Sequence, residues 1–159
     1  MEQSLNSDFL RRYRECFDLH TPELQQTSPL ALAYLGDCLY DLAAREYVLC
    51  HFPGNVNRMN TEKKKLVCAA AQAEIMGYLI GQGLLSTEEL SVYRRGRNHK
   101  SESHSKNSSI QDYRRATGFE ALIGYLYLRE DFGRMLELVS RGMRHLLETE
   151  KESRAGRET

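Results

Sequence analysis

Two segments of this chain are apolar almost all round at helical spacing, yet each carries an acid. Residues 30–42 (LALAYLGDCLYDL) contain Asp37, and residues 116–128 (ATGFEALIGYLYL) contain Glu120. From Phe119 to Leu128, Glu120 is the only charged residue. A helix that is apolar on every side is normally buried, so these segments predict a helical core with carboxylates inside it. A buried carboxylate destabilises unless a partner compensates its charge. A divalent metal ion is one such partner, since Mg²⁺ is typically held by one or two carboxylates together with waters and phosphate oxygens. Gly36 precedes Asp37, and Gly118 and Gly124 flank Glu120. A mid-helix glycine costs about 0.8–1 kcal/mol relative to alanine. Its use beside both acids predicts that two backbones, or a substrate, approach closely; tight helix packing is the simpler reading.

The remaining composition points the same way. Only three prolines occur in 159 residues, β-branched residues are sparse, and alanine, leucine, glutamate and arginine are plentiful. An all-α fold follows, in a single domain spanning 1–159 with its core at about 25–148. The overall charge is zero, so its distribution carries more information. Residues 94–115 hold seven basic and two acidic side chains, a local excess of +5 balanced by −5 elsewhere. Such an excess fits a polyanion-binding face or a solvated loop. Cys16, Cys38, Cys50 and Cys68 show no metal-binding spacing and are expected to be reduced core thiols of a cytoplasmic protein. No signal peptide is expected from the amino-terminal residues, and no apolar run is long enough to span a membrane.

Local signals divide the chain into helices. Residues 9–19 read as a short amphipathic helix. Thr21-Pro22-Glu23 and Ser28-Pro29 each resemble a cap followed by proline at the first helical position. The second of these opens the Asp37 helix, which is expected to run to about Cys50. Asn60 or Thr61 is expected to cap one long helix ending near Gly81–Gly83. Ser86-Thr87-Glu88-Glu89 reads as a capping box for a helix ending near Arg95. Residues 96–109 read as a flexible basic loop, Ser109 as the start of the Glu120 helix, and Asp131 as the start of a final amphipathic helix. Residues 149–159 are expected to fray.

Helical geometry places Ala33, Asp37, Asp41 and Arg45 on one stripe. Asp37 therefore has a plain alternative, a solvated face with an Asp41–Arg45 pair worth about 0.2–0.5 kcal/mol. Glu120 is harder to explain that way, because its stripe (Tyr113, Thr117, Gly124, Tyr127) contains no basic residue one turn away. A protonated, buried Glu120 and a partner on another helix both satisfy it. If the two acids converge, a shared cation compensates both. The basic segment supplies a matching substrate class. Arg94, Arg95, Arg97 and Asn98 offer donors suited to phosphate. Lys100, Lys106 and Asn107 extend that surface, and Arg114 and Arg115 lie one to two turns before Glu120. Basic groups next to a candidate Mg²⁺ site suit phosphodiester hydrolysis. His99 and His104 read as solvated or phosphate-contacting, and Lys63-Lys64-Lys65 as an exposed helix face. Tyr34, Tyr40, Tyr125 and Tyr127 read as core or subunit-interface residues.

These motifs resemble a known family. Residues 32–41 (LAYLGDCLYD) resemble the signature helix of the ribonuclease III catalytic domain, and residues 118–128 (GFEALIGYLYL) its second acidic helix. RRGRNHK at 94–100, Lys106-Asn107, and the run from Tyr113 through Thr117 to Glu120 resemble the Mini-ribonuclease III branch, over roughly residues 25–148. The resemblance implies an all-α endonuclease domain that homodimerises and lays double-stranded RNA across a valley between subunits. It also implies that Asp37 and Glu120 are the catalytic, Mg²⁺-binding acids, with Mn²⁺ as a possible substitute, and that products carry 5′-phosphate and 3′-hydroxyl ends. The branch lacks a separate double-stranded RNA-binding domain. Its expected role is maturation of the large-subunit (23S) ribosomal RNA precursor in the cytoplasm, helped by a ribosomal protein on that RNA. RNA contacts would fall to Arg94, Arg95, Arg97, Asn98, Lys100, Lys106, Asn107, Arg114 and Arg115. Two positions depart from full-length ribonuclease III: Ala33 and Thr117 stand where it carries further acids. Their absence leaves the number of metal ions open, and it supports an alternative, a non-catalytic RNA-binding or scaffold protein of the same fold.

Overall fold

A computed structural model describes residues 2–99 and 109–157, with side chains from residue 8 onward. Among these residues there are seven α-helices and no strand. They are α1 (Glu2–Cys16), α2 (Pro29–His51), α3 (Val56–Val67), α4 (Ala69–Gly81), α5 (Thr87–Asn98), α6 (Ile110–Leu128) and α7 (Phe132–Ala155). A 3-10 turn at Leu24–Gln26 stands where Thr21-Pro22-Glu23 suggested a helix start.

Caps fix most starts. Ser28 accepts from the Ala31 amide at 3.1 Å with Pro29 in the first turn. Ser86 and Glu89 close the expected capping box, and Ser109 accepts from the Asp112 amide at 3.0 Å. Asp131 caps α7 through the Arg134 amide. At the end of α4, Gly83 adopts φ +64°, the left-handed conformation that lets the amides of Gly83 and Leu84 close onto the last turn.

α6 is the central element. Residues 116–119 and 121–126 are all buried, and the helix packs against α2, α5, α4 and α7. The α2–α6 contact is the most extensive in the molecule, and glycines make it possible. A Cβ at Gly36 would overlap the Glu120 carbonyl oxygen, and one at Gly124 the Leu32 carbonyl oxygen. On the α5 side, a Cβ at Gly96 would come within 2.8 Å of the Ala121 Cβ, and one at Gly118 within 2.6 Å of the Tyr93 ring. The core is completed by Tyr40, whose ring meets Phe119 edge-on at 5.1 Å, and by Ile75, Met76, Leu79 and Leu138.

Several expectations need correction. The long helix from Asn60 or Thr61 is two helices, because Cys68 is extended (φ −64°, ψ 156°), and Asn55 caps the first of them. The break exposes carbonyls inside the core, and side chains satisfy them: Tyr40 donates to Leu66 O at 2.8 Å and Gln72 Nε2 to Val67 O at 3.0 Å. α5 continues through Gly96, Arg97 and Asn98 instead of ending near Arg95, since Gly96 packs on α6. α7 runs to Ala155, past the point where fraying was expected, with Glu150 bridging Lys65 and Arg154. Cys16, Cys38 and Cys50 are exposed and Cys68 half-buried. The buried face of α2 is Leu32, Ala33, Gly36, Tyr40, Ala44 and Val48, which turns Cys38 and Cys50 outward. α1 begins at Glu2, well before Phe9, and ends at Cys16, short of the expected residue 19; Phe9 and Tyr13 on it and Phe17 just after it are exposed.

Candidate active site

α2 and α6 cross at Gly36 and Gly124, and the crossing brings Asp37 and Glu120 together. Each glycine lets one backbone touch the other, so the residues beside them face a common space. Glu120 is half-buried. Burial and the nearby Asp37 charge push its carboxyl up from an ordinary value near 4.5 to about 8. The acid that looked harder to satisfy in sequence is thus the more perturbed one.

Asp37 follows the solvated-face alternative that its stripe offered. It lies one residue past buried Gly36 and is exposed overall. Its carboxyl is still raised, chiefly because neighbours remove part of its hydration, then because Asp41 is close, with Lys63 opposing. Asp41 does pair with Arg45, and also with Lys63 at 3.1 Å. The ion pair expected on the stripe therefore exists, but it engages Asp41 and leaves Asp37 toward Glu120.

Ala33 is buried in the α2 core face. Thr117 is buried too, and its hydroxyl donates to the Tyr113 carbonyl at 3.0 Å. Neither position adds a ligand. Among the described residues no group of three or more His, Cys, Asp or Glu is placed to hold a metal ion. The donor set is two carboxylates whose mutual repulsion and desolvation favour a bound cation. That fits an ion that takes its remaining ligands from water and phosphate.

Two residues of the site gave no sequence signal. Gln72 is 2% exposed and lies close enough to Glu120 to oppose, in small part, the upward push on its carboxyl. Lys63 looked like part of an exposed face but is largely covered and tied to Asp41; Lys65 likewise pairs with Glu62 and Glu150. A lone glutamine on an alanine-rich helix carries no pattern, and only the packing of α4 on α6 reveals it.

The basic residues gather elsewhere. Arg94, Arg95, Asn98 and His99 line one pocket with Pro29, Thr87 and Ser91, and this pocket contains neither acid. Arg97 lies over the Tyr93 ring at 5.6 Å and donates to Asn98 at 3.1 Å. α5 meets the Gly118 and Ala121 face of α6, whereas Glu120 belongs to the face that meets α2. The structure therefore does not bring the α5 cluster onto the acids within one chain. Arg114 and Arg115 are exposed on the first turns of α6. Arg11, Arg12, Arg14, Arg45, Arg129, Arg134, Arg141 and Arg154 all pair with acids. Among the described residues Arg94, Arg95, Arg97, Arg114 and Arg115 pair with none, as is also true of Arg58, Arg144 and Arg157. Lys100, Lys106, Asn107 and His104 lie outside the described residues.

Comparison with known proteins identifies the arrangement. The Ribonuclease III domain model matches residues 30–131, from the start of α2 to the cap of α7. The chain belongs to the ribonuclease III family. Within that family it is similar to Mini-ribonuclease 3 of Clostridium tetani, 40% identical over 82% of this chain and 85% of the relative. It is also similar to Mini-ribonuclease 3 of Acholeplasma laidlawii, 43% identical over 72% of this chain and 90% of the relative. A crystal structure of a protein from Fusobacterium nucleatum matches with a TM-score of 0.66 at 28% identity, covering 76% of this chain and 94% of that one. As a Mini-ribonuclease 3-type member of the ribonuclease III family, the chain is an endoribonuclease with an all-helical catalytic domain. Both acids and both glycines of the α2–α6 crossing lie inside the matched segment.

Proposed function

We propose that the protein is a Mg²⁺-dependent endoribonuclease that cuts double-stranded RNA, maturing the large-subunit ribosomal RNA precursor in the cytoplasm, with Mn²⁺ able to replace Mg²⁺. The observation that carries this reading is the convergence of Asp37 and Glu120, with Glu120 held in part by the Asp37 charge at a carboxyl value of about 8. In this reading Asp37 and Glu120 are the catalytic acids and hold the ion. When bound, a divalent cation supplies charge stabilisation at phosphoryl oxygens and a more acidic water.

The chain's own residues do the rest. Glu120, desolvated between α2, α4 and α6, holds a proton at neutral pH in the metal-free protein and, once ionised, would be a ligand for a divalent cation. Gly36 and Gly124 fix its position against Asp37 by direct backbone contact. Asp41 is neutralised by Lys63 and Arg45, which limits the negative charge that an incoming phosphodiester meets. Hydrolysis at the phosphorus with departure of the 3′-oxygen gives 5′-phosphate and 3′-hydroxyl ends.

Arg94, Arg95, Arg97, Asn98, Arg114 and Arg115, with Lys100, Lys106 and Asn107, form the RNA-binding set in this reading. The arginines' lack of acidic partners among the described residues supports that role. Recognition would rest mainly on shape and backbone, because the deep A-form major groove is closed to side chains. The α5 cluster and the acids sit on different faces of α6, so one chain does not present both to a short duplex. A homodimer resolves this, and Tyr34, 85% exposed one turn before Asp37, supports it. A large-subunit ribosomal protein on the substrate is the partner this role implies.

The deciding experiment is cleavage of a precursor ribosomal RNA stem, with and without Mg²⁺, by the wild-type protein and by Asp37→Asn. Mg²⁺-dependent cutting that the substitution abolishes, with RNA binding retained, is the expected result. RNA binding without cutting by the wild type, in both Mg²⁺ and Mn²⁺, would favour a scaffold instead.

A further inference from the structure

Ser91 and Arg95 stand on the wall between two cavities at the surface of α5. One, of about 510 Å³, runs along the helix from Thr87 to Arg94, Asn98 and His99. The other, of about 350 Å³, lies between the 3-10 turn, α5 and α6. Both have the size of small-ligand sites, and neither contains Asp37 or Glu120. Their linings differ in chemistry. No acid lines the first cavity, and among the described residues Arg94 and Arg95 pair with no acid. The second has an apolar floor of Leu24, Val92 and Tyr125, with Val92 3% and Tyr125 7% exposed. Around that floor stand exposed Gln25 and the Glu88 carboxylate, which Arg129 holds at 2.9 Å.

We propose that the paired cavities bind one unpaired nucleotide as its 5′-phosphate, the end of an RNA strand or a free mononucleotide: Arg94, Arg95 and His99 take the phosphate, and the floor beside Gln25 takes the base. Charge selects the phosphate form. A phosphodiester carries a single negative charge, whereas a phosphomonoester carries about 1.5 to 2 at neutral pH, which matches two guanidinium groups without acidic partners. The second lining selects the rest of the ligand. A nucleobase has apolar faces and a polar edge, and this cavity offers an apolar floor with an amide, a hydroxyl and a carboxylate around it. Ser91 and Arg95 are one helical turn apart, about 6 Å along the axis, so the phosphate and base of one nucleotide reach both cavities together. A base paired inside a duplex cannot enter such a recess. Unpaired bases can be splayed out and bonded on their edges. The helical part of the substrate therefore does not fill this site, but an unpaired end of the same RNA does.

The inference rests on the proposed RNA-binding role of Arg94 and Arg95, and the arms of the test separate the two. Calorimetry in EDTA measures binding of adenosine 5′-monophosphate, adenosine and inorganic phosphate to the full chain, for wild type, Arg95→Ala, Gln25→Ala and Asp37→Asn. Arg95 and Gln25 are exposed, so both alanine variants should fold. Filter binding compares a blunt RNA duplex with 5′-hydroxyl ends and the same duplex carrying one unpaired 5′-phosphorylated nucleotide. The nucleotide is expected to bind at least about tenfold more tightly than adenosine or phosphate. Arg95→Ala should weaken it about tenfold, as loss of a bond to a charged group does. Gln25→Ala should weaken the nucleotide but not phosphate, and Asp37→Asn should bind as wild type does. Tighter binding of the phosphorylated end, lost in Arg95→Ala, assigns the ligand to RNA; nucleotide binding without that preference assigns it to a free mononucleotide. Equal affinity for the nucleotide and for inorganic phosphate, or no binding of the nucleotide, would overturn the site. Loss of nucleotide binding in Arg95→Ala with blunt-duplex affinity unchanged would keep the site and take Arg95 off the duplex path.

Discussion

Glu120 gives the site a measurable signature at the scale of one residue. Its folded-state carboxyl titrates near 8 against an ordinary value near 4.5, so between those values the native protein holds a proton that the unfolded chain releases. Stability of the metal-free protein must then fall as pH rises through that window and level off above about 8. Denaturant unfolding in EDTA across the window checks this, and Glu120→Gln should flatten the slope; a slope that persists would belong to another group. Because a cation competes with that proton, Mn²⁺ affinity should also rise with pH, by up to about tenfold per unit, until the carboxyl is ionised. Asp37→Asn is expected to abolish cleavage with little change in thermal midpoint, since Asp37 is exposed and lies outside the buried face of α2. The sequence singled out both acids from their apolar surroundings. It left Asp37 between a buried and a solvated place, and the solvated one holds because a helix mostly apolar in composition still has one face that its neighbours do not cover.

Between elements, the α2–α6 contact depends on missing side chains. Gly36→Ala would drive a methyl group into the Glu120 backbone carbonyl. Backbone cannot yield as a flexible side chain can, so destabilisation at the upper end of the roughly 1–3 kcal/mol typical of overpacking is expected. Cleavage should fall further than stability alone explains, because the same shift separates Asp37 from Glu120. Equilibrium unfolding and activity below the thermal midpoint test the two parts separately. A second pin joins α5 to α7: Arg134 contacts both carboxylate oxygens of buried Glu89 and the Leu84 carbonyl. Arg134→Ala strands that carboxylate and should cost roughly 3 kcal/mol in unfolding free energy, whereas Ser86→Ala, removing a cap, should cost about 1 kcal/mol. Helix starts were legible because Ser28, Ser86, Ser109 and Asp131 act locally. The α3–α4 break was not, since no glycine or proline marks it and its carbonyls are satisfied by Tyr40 and Gln72 from outside the break.

For the whole molecule, charge distribution sets how RNA is held. Double-stranded RNA affinity is expected to fall steeply with salt, as it does whenever arginine and lysine displace counterions from phosphates. Replacing Arg94 and Arg95 together by alanine should weaken binding. The slope of log affinity against log salt should shrink by about one for each phosphate that is no longer neutralised. Filter binding over a salt series measures both effects, and an unchanged slope would move the RNA path away from α5. The all-α class, the two acidic helices and the basic segment were readable from residue order, because periodicity, caps and local charge are properties of neighbours along the chain; the family was readable through the resemblance of the motifs at 32–41, 94–100 and 118–128. Tertiary structure alone decided that α5 turns its arginines to a different face of α6 from Glu120, that Lys63 neutralises Asp41, and that Gln72 is buried near Glu120 with its amide on the Val67 carbonyl. Those facts depend on which helix faces meet, and residues from α3, α4 and α5 acquire their relation to the acids only once α6 is packed among them.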